Sequence, residues 1–248
     1  MDHVSDPSDD YFACVELACT YLDAIHEYGI NQGDAAGLLV LHGLAMYARD
    51  TARSAASLWH QSQVLAAGAL TRVVIEHAVL AQWVKVDPEV RGHLFLRQSE
   101  VERHRWFEVV LAANFDSTGP AHVVLGQIEQ REFGPKPKNV ADEFSTVRNL
   151  FGATDLGRQM YLTYRNLSRF VHPSAITLGR YTSELPPGGS QLHAQLQVEQ
   201  DPESIAFYLA TATAMSAVPY LDAIDDPTGA AVRAVAKLAN VPTTLGVD

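Results

Sequence analysis

The tripeptide Asp-Pro-Glu stands at 87–89 and again at 201–203, and it constrains the fold of this chain more than any other feature. Aspartate caps the exposed amides of a first helical turn, and proline suits that turn because no amide partner is lost there. Each copy therefore starts a helix, the first running to about Asn114 and the second to about Ala223. Asp226-Pro227 repeats the opening for a last helix ending near Asn240. Elsewhere apolar residues return at helical spacing. Asp9 to Tyr28 forms a first helix with Phe12, Val15, Tyr21, Leu22 and Ile25 inward, stopped by Asn31-Gln32-Gly33. Asp34 caps a second, through Leu38, Leu41, Leu44 and Ala48 towards Trp59. Val64 to Val86 reads as a third helix or as a continuation past an irregular joint, and Thr154-Asp155 opens a helix that Pro173 ends.

Between Phe115 and Thr154 the breakers Gly119-Pro120 and Gly134-Pro135 leave room for short helices near 121–131 and 140–151. Pro186-Pro187-Gly188-Gly189 is a turn, and Gln191 to Val198 alternates apolar with polar residues as a strand does. The expected fold is an all-α antiparallel bundle with a small β-hairpin insertion near 176–199, in one domain spanning 1–248. Its parts are a flexible acidic segment (1–8), a bundle core (9–175) containing the helix 155–172, the hairpin or loop (176–200) and C-terminal helices (201–240).

A chain of 248 residues can bury a full-sized core. Its net charge of −11 repels polyanions at long range, so broad attraction to nucleic acid or to an anionic membrane is excluded and phosphate chemistry has to be local. Cys14 and Cys19 point about 140° apart on one helix and cannot bridge within it, which fits a reducing cytoplasm. The acidic start lacks the basic and apolar parts of a signal peptide. Ser204 to Leu221 approaches the length of a membrane span, but Thr211, Thr213, Ser216 and Pro219 interrupt it, and a buried helix is expected. No Gly-rich phosphate loop, Gly-x-Ser-x-Gly elbow or Cys-x2-Cys pair occurs.

The chemistry concentrates in Tyr161-Leu-Thr-Tyr-Arg-Asn-Leu-Ser-Arg-Phe-Val-His172. From Arg165 to His172 a helix turns by about 700°, so both side chains share one face two turns apart. Tyr161 and Ser168 fall on the same stripe, flanked by Arg158 and Arg169, while Met160, Tyr164, Leu167 and Val171 gather on an apolar side. The stripe is expected opposite the core. A guanidinium holds phosphate oxygens in a fork and an imidazole exchanges protons near neutrality. Together they supply the parts for metal-independent phosphodiester cleavage. The plain alternative is a histidine favouring a helix C-terminus beside solvated arginines. Arg72 and Glu76, one turn apart, form an intrahelical pair, or, if their helix packs beside the motif, Glu76 orients Arg165 or His172. His77, next along, points elsewhere and is read as structural.

Arg165, Asn166 and His172 resemble the signature of the HEPN superfamily, an arginine followed by a polar residue with a histidine a few residues on, in the last helix of a bundle. Leu70-Thr-Arg72-Val-Val-Ile-Glu76 with Tyr164-Arg-Asn-Leu-Ser168-Arg-Phe-Val-His172 also resembles bacterial helical proteins that combine an Arg-x3-Glu helix with a Tyr-x3-Ser-x3-His helix. The resemblance implies a dimeric RNase of toxin-antitoxin or antiphage systems that needs no cofactor. Arg165 and His172 would be catalytic, Asn166 and Ser168 supporting, Arg158 and Arg169 phosphate ligands, and Tyr161, Arg72 and Glu76 an outer support. Its partners would be an RNA substrate, a second copy and an antitoxin or regulatory protein, without a membrane. Two alternatives stand beside it. One is a non-catalytic module that holds an anion or a partner. The other is a metal-dependent bundle enzyme around Glu76 and the stripe Glu100, His104 and Glu108, which is otherwise read as a solvated helix face.

Overall fold

Side-chain caps set several of the helix starts. Asp87 Oδ1 accepts from the Val90 amide at 3.1 Å, Thr154 Oγ1 from the Gly157 amide at 2.9 Å, and Thr146 Oγ1 from the Asn149 amide at 3.1 Å. The computed structural model describes residues 7–25, 35–112, 143, 146–168, 171 and 202–238, apart from the side chains of 7, 8, 100–108, 110–112 and 202. Among the described residues stand eight helices and no strand. They are α1 (Pro7–Asp23), α2 (Ala35–His60), α3 (Val64–Val86), α4 (Pro88–Ala112), α5 (Val147–Gly152), α6 (Asp155–Ser168), α7 (Pro202–Ala223) and α8 (Ala230–Lys237). The all-α expectation stands, while the hairpin expected near 176–199 and the short helix near 121–131 lie outside the described residues.

The joint between α2 and α3 is a true helix end. Ser62 adopts a φ of 61°, its amide donates to Trp59 O at 2.8 Å, and the Gln63 amide reaches back to Leu58 O at 2.9 Å. This reversed pair closes the last turn of α2 and turns the chain back. Asp225 repeats the device after α7, with φ 52° and an Asp226 amide on Leu221 O at 3.0 Å. Asp226 then caps a turn in place of a helix. Its Oδ1 accepts from the Thr228 amide at 2.8 Å and its Oδ2 from the Tyr21 hydroxyl at 2.5 Å, so α8 starts only at Ala230.

α7 is the centre of the core and packs against α1, α2, α3 and α8. Ala206, Leu209, Ala210, Ala214, Met215, Ala217 and Leu221 are all buried, so the helix has no solvated face along most of its length. Both α3 and α7 are long and apolar enough to cross a membrane, yet 83% of the α7 window is buried by its neighbours. Pro219 inside α7 removes the amide that would bond to Met215 O. Gln82 of α3 supplies the missing donor, its Nε2 lying 3.0 Å from that carbonyl, so the proline is tolerated in the core. α4 crosses the start of α2 at Gly37 and Gly92, where a Cβ on Gly92 would sit 2.7 Å from the Gly37 Cα. α6 lies on the outer side of the bundle, against α3 and α5.

Candidate functional site at the seam of α3 and α6

α6 is amphipathic, and Leu156, Gly157, Met160, Tyr164 and Leu167 form its buried side. At about 100° per residue, the stripe carrying Tyr161, Arg165 and Ser168 is centred roughly 90° from the middle of that side. The stripe therefore borders the core, where an opposite position was expected. Gly157 allows α5 to fold back on α6, since a Cβ there would collide with the Phe151 backbone. Phe151 is thereby set against Tyr164, with ring centroids 4.6 Å apart, and against Tyr161 at 5.8 Å.

Arg72 of α3 locks this helix in place. Its Nε donates to Ser168 Oγ at 3.0 Å, and its Nη2 donates to Tyr164 Oη at 2.7 Å and to Glu76 Oε1 at 2.9 Å. Its guanidinium also lies over the Tyr164 ring, 4.8 Å from the centroid. The Arg72 and Glu76 side chains are only 18% and 25% exposed, so this pair is less screened than a surface ion pair. Burial pushes the Tyr164 phenol above its ordinary range, with the Arg72 hydrogen bond pulling the other way. Arg72 pairs with Glu76 along α3, as the intrahelical expectation has it, and also reaches α6, but among the described residues Glu76 does not meet Arg165, and His172 lies outside them. The groups it orients are Tyr164 and Ser168. Ser168 Oγ also donates to Tyr164 O at 2.7 Å, so the hydroxyl both accepts and donates within the scaffold.

The cations on α6 separate by partner. Arg158 is bound to Asp155 and donates to Gly152 O at 2.7 Å, which ties it to the α5–α6 elbow. Arg165 and Asn166 are exposed, and among the described residues Arg165 has no carboxylate partner. The described helix ends at Ser168, and Val171 follows in a turn with its amide on Ser168 O at 3.2 Å. This tightening moves Val171 off the apolar phase, and it is exposed. Arg169 and His172 lie outside the described residues. Glu100, His104 and Glu108 lie on α4 with their side chains outside the description. Among the described residues no three His, Cys, Asp or Glu side chains cluster as metal ligands do.

Two features of this side of the molecule escaped the sequence reading. Tyr164 stood there on the apolar side and within the Tyr-x3-Ser pattern with no role given to its hydroxyl, whereas that hydroxyl joins the Arg72 network. Tyr47 of α2 stacks flat on His77 of α3, with centroids 4.5 Å apart and planes within 9°. The available signal was positional, since Tyr47 and His77 stand equidistant in sequence from Ser62, at the hairpin of α2 and α3.

Comparison with curated proteins and with solved structures finds no match. A family model, described as Family of unknown function (DUF5677), matches residues 38–189, which covers most of α2, all of α3 to α6 and the whole Arg72–Tyr164–Ser168 network. With more than half of its length matched, and the seam of α3 and α6 inside the matched region, the chain belongs to this family of unknown function.

Proposed function

We propose that this chain is a metal-independent endoribonuclease of the HEPN type, working as a dimer in the cytoplasm. The observation that carries the proposal is Arg165, an exposed guanidinium without a carboxylate among the described residues, on a helix held rigid by Arg72. An arginine already neutralised by an acid gains little from phosphate, whereas an unpaired one at a pinned position is pre-organised for it. The ribose 2′-hydroxyl would attack the adjacent phosphorus as the bond to O5′ breaks, leaving a 2′,3′-cyclic phosphate and a 5′-hydroxyl. Arg165 would stabilise the phosphorane charge, and His172 would take the 2′-hydroxyl proton or deliver one to O5′. A second copy would bring the other proton carrier. Asn166, exposed beside Arg165, would touch substrate, while Ser168 would act by holding the helix on Arg72. Regulation by an antitoxin or another protein partner belongs to the same proposal.

The experiment is RNA cleavage in the presence of a chelator, with end-group analysis of the products. Cleavage leaving a cyclic phosphate, reduced on the order of 10²–10⁴-fold in His172→Ala, is expected. Absence of cleavage by the native protein, or abolition by the chelator, overturns the nuclease. One observation favours a non-catalytic anion-binding module as the second reading: Ser168 and Tyr164 are committed to an internal network. Binding of an uncleavable oligonucleotide through Arg165 without any cleavage would select it.

A further inference from the structure

We infer that the outer face of the Tyr47 ring is a stacking platform for a nucleobase of single-stranded RNA, on the same side of the molecule as Arg165. The inference rests on the proposed RNA substrate and adds a base-binding position to it.

Tyr47 is 56% exposed, although its ring is held flat against His77 at 4.5 Å. A surface tyrosine ordinarily loses conformational freedom only when something holds it. Here the imidazole holds one face and leaves the other to solvent. His77 is itself fixed, with Nδ1 2.8 Å from Val73 O; a carbonyl only accepts, so the proton sits on Nδ1. Burial keeps this imidazole below its ordinary range, so the support is a neutral ring at neutral pH. Gly43 stands one turn before Tyr47 on the exposed side of α2, and a Cβ there would meet nothing within 4 Å. Among the described residues nothing crowds α2 one turn before the ring.

The platform and the proposed phosphate ligand face outward together. On α3 the buried residues Val74, Ile75, Ala78 and Val79 turn to the core. Arg72 turns to α6 with Glu76 beside it, and His77, about 100° further round from Glu76, turns to α2. The outward strip of α3 thus runs between Tyr47 on one flank and the Arg165 stripe on the other. Arg72 and His77 are separated by about 7.5 Å along the helix axis, so both flanks address one short stretch of strand. With a net charge of −11, the protein gains little from general attraction to a phosphate backbone. Stacking on a fixed aromatic ring supplies affinity that does not depend on charge.

The test is the affinity of the full-length protein for a short labelled 2′-O-methyl oligouridine, which cannot be cleaved, and for an abasic strand of equal length. Tyr47→Ala is expected to weaken oligouridine binding on the order of tenfold while leaving abasic binding unchanged, with Tyr47→Trp restoring it. Arg165→Ala is expected to weaken both strands. Unchanged oligouridine affinity in Tyr47→Ala overturns the inference, as does failure of the native protein to prefer the strand that carries bases. A weakened self-association in place of weakened RNA binding also overturns it, and assigns the ring to a contact between copies of the chain. The two proposals separate cleanly. Base-dependent binding through Tyr47 without any cleavage keeps the platform and removes the nuclease. Arg165-dependent cleavage with no Tyr47 effect does the reverse.

Discussion

The seam between α1 and α2 and the seam between α3 and α6 both rely on arginines, and they use them in opposite ways. At the first, Arg49 meets Asp23 and Asp50, each at 2.8 Å, while Arg53 meets Asp23 at 2.6 Å and Glu16 at 3.2 Å, so acids outnumber the two cations. At the second, Arg72 shares one carboxylate with two hydroxyls, and Arg165 is left on the rim without an acid among the described residues. Where carboxylates match guanidiniums, arginine is surface glue and the seam has no charge to offer a ligand. Where they fall short, the excess cation can bind an anion from outside.

Substitutions at four positions break or sharpen this contrast. The largest structural effect belongs to Gly157→Val, whose Cβ would collide with the Phe151 backbone and pry α5 from α6. A loss of about 3 kcal/mol is expected, read as a fall of roughly 6–12 °C in Tm. Arg72→Ala follows, at about 2 kcal/mol, because Glu76 is left partly buried without its cation; Arg72→Lys, which cannot fork between Ser168 and Tyr164, should recover only part of that in chemical denaturation.

Asp222 supplies an intermediate case, joining Lys85 at 2.5 Å and Arg233 at 2.7 Å. Burial alone would raise its carboxyl, but hydrogen bonds from Lys85 and Arg233 outweigh burial and hold it below the ordinary range. Its contribution is therefore present at neutral pH and is lost as pH falls through the unfolded and then the folded pKa. Asp222→Asn should cost about 1 kcal/mol at pH 7 and nearly nothing in strong acid, as measured by denaturation at both pH values. The smallest effect belongs to Arg53→Ala, below about 1 kcal/mol and shrinking at high salt, because its partners are exposed and screened.

Much of the scaffold was legible because it is local. Asp87 and Thr154 cap the helices they precede, and the apolar spacing of α1 and α2 matches Phe12, Val15, Leu22, Leu38, Leu41 and Leu44 in the core. Asp226 misled for a local reason too, since the same aspartate chemistry that caps a helix also caps a turn when a reversed residue such as Asp225 precedes it. The site was legible in kind but not in arrangement. Arg-x3-Glu and Tyr-x3-Ser named the residues of the α3–α6 network, yet their meeting depends on packing across more than ninety residues of chain. Because Arg72 draws Ser168 into the scaffold, the contrast between a bound Ser168 and an exposed Arg165 shows only in three dimensions. The stacking of Tyr47 on His77 likewise needs the turn at Ser62, which apolar spacing alone does not reveal.

The most direct measurement compares metal-free RNA cleavage and thermal stability in Arg165→Ala alone. An unpaired guanidinium serving substrate predicts cleavage reduced on the order of 10²–10³-fold, with Tm within about 2 °C of the native protein. Cleavage at the native rate, or a loss of stability as large as that of Arg72→Ala, would contradict it.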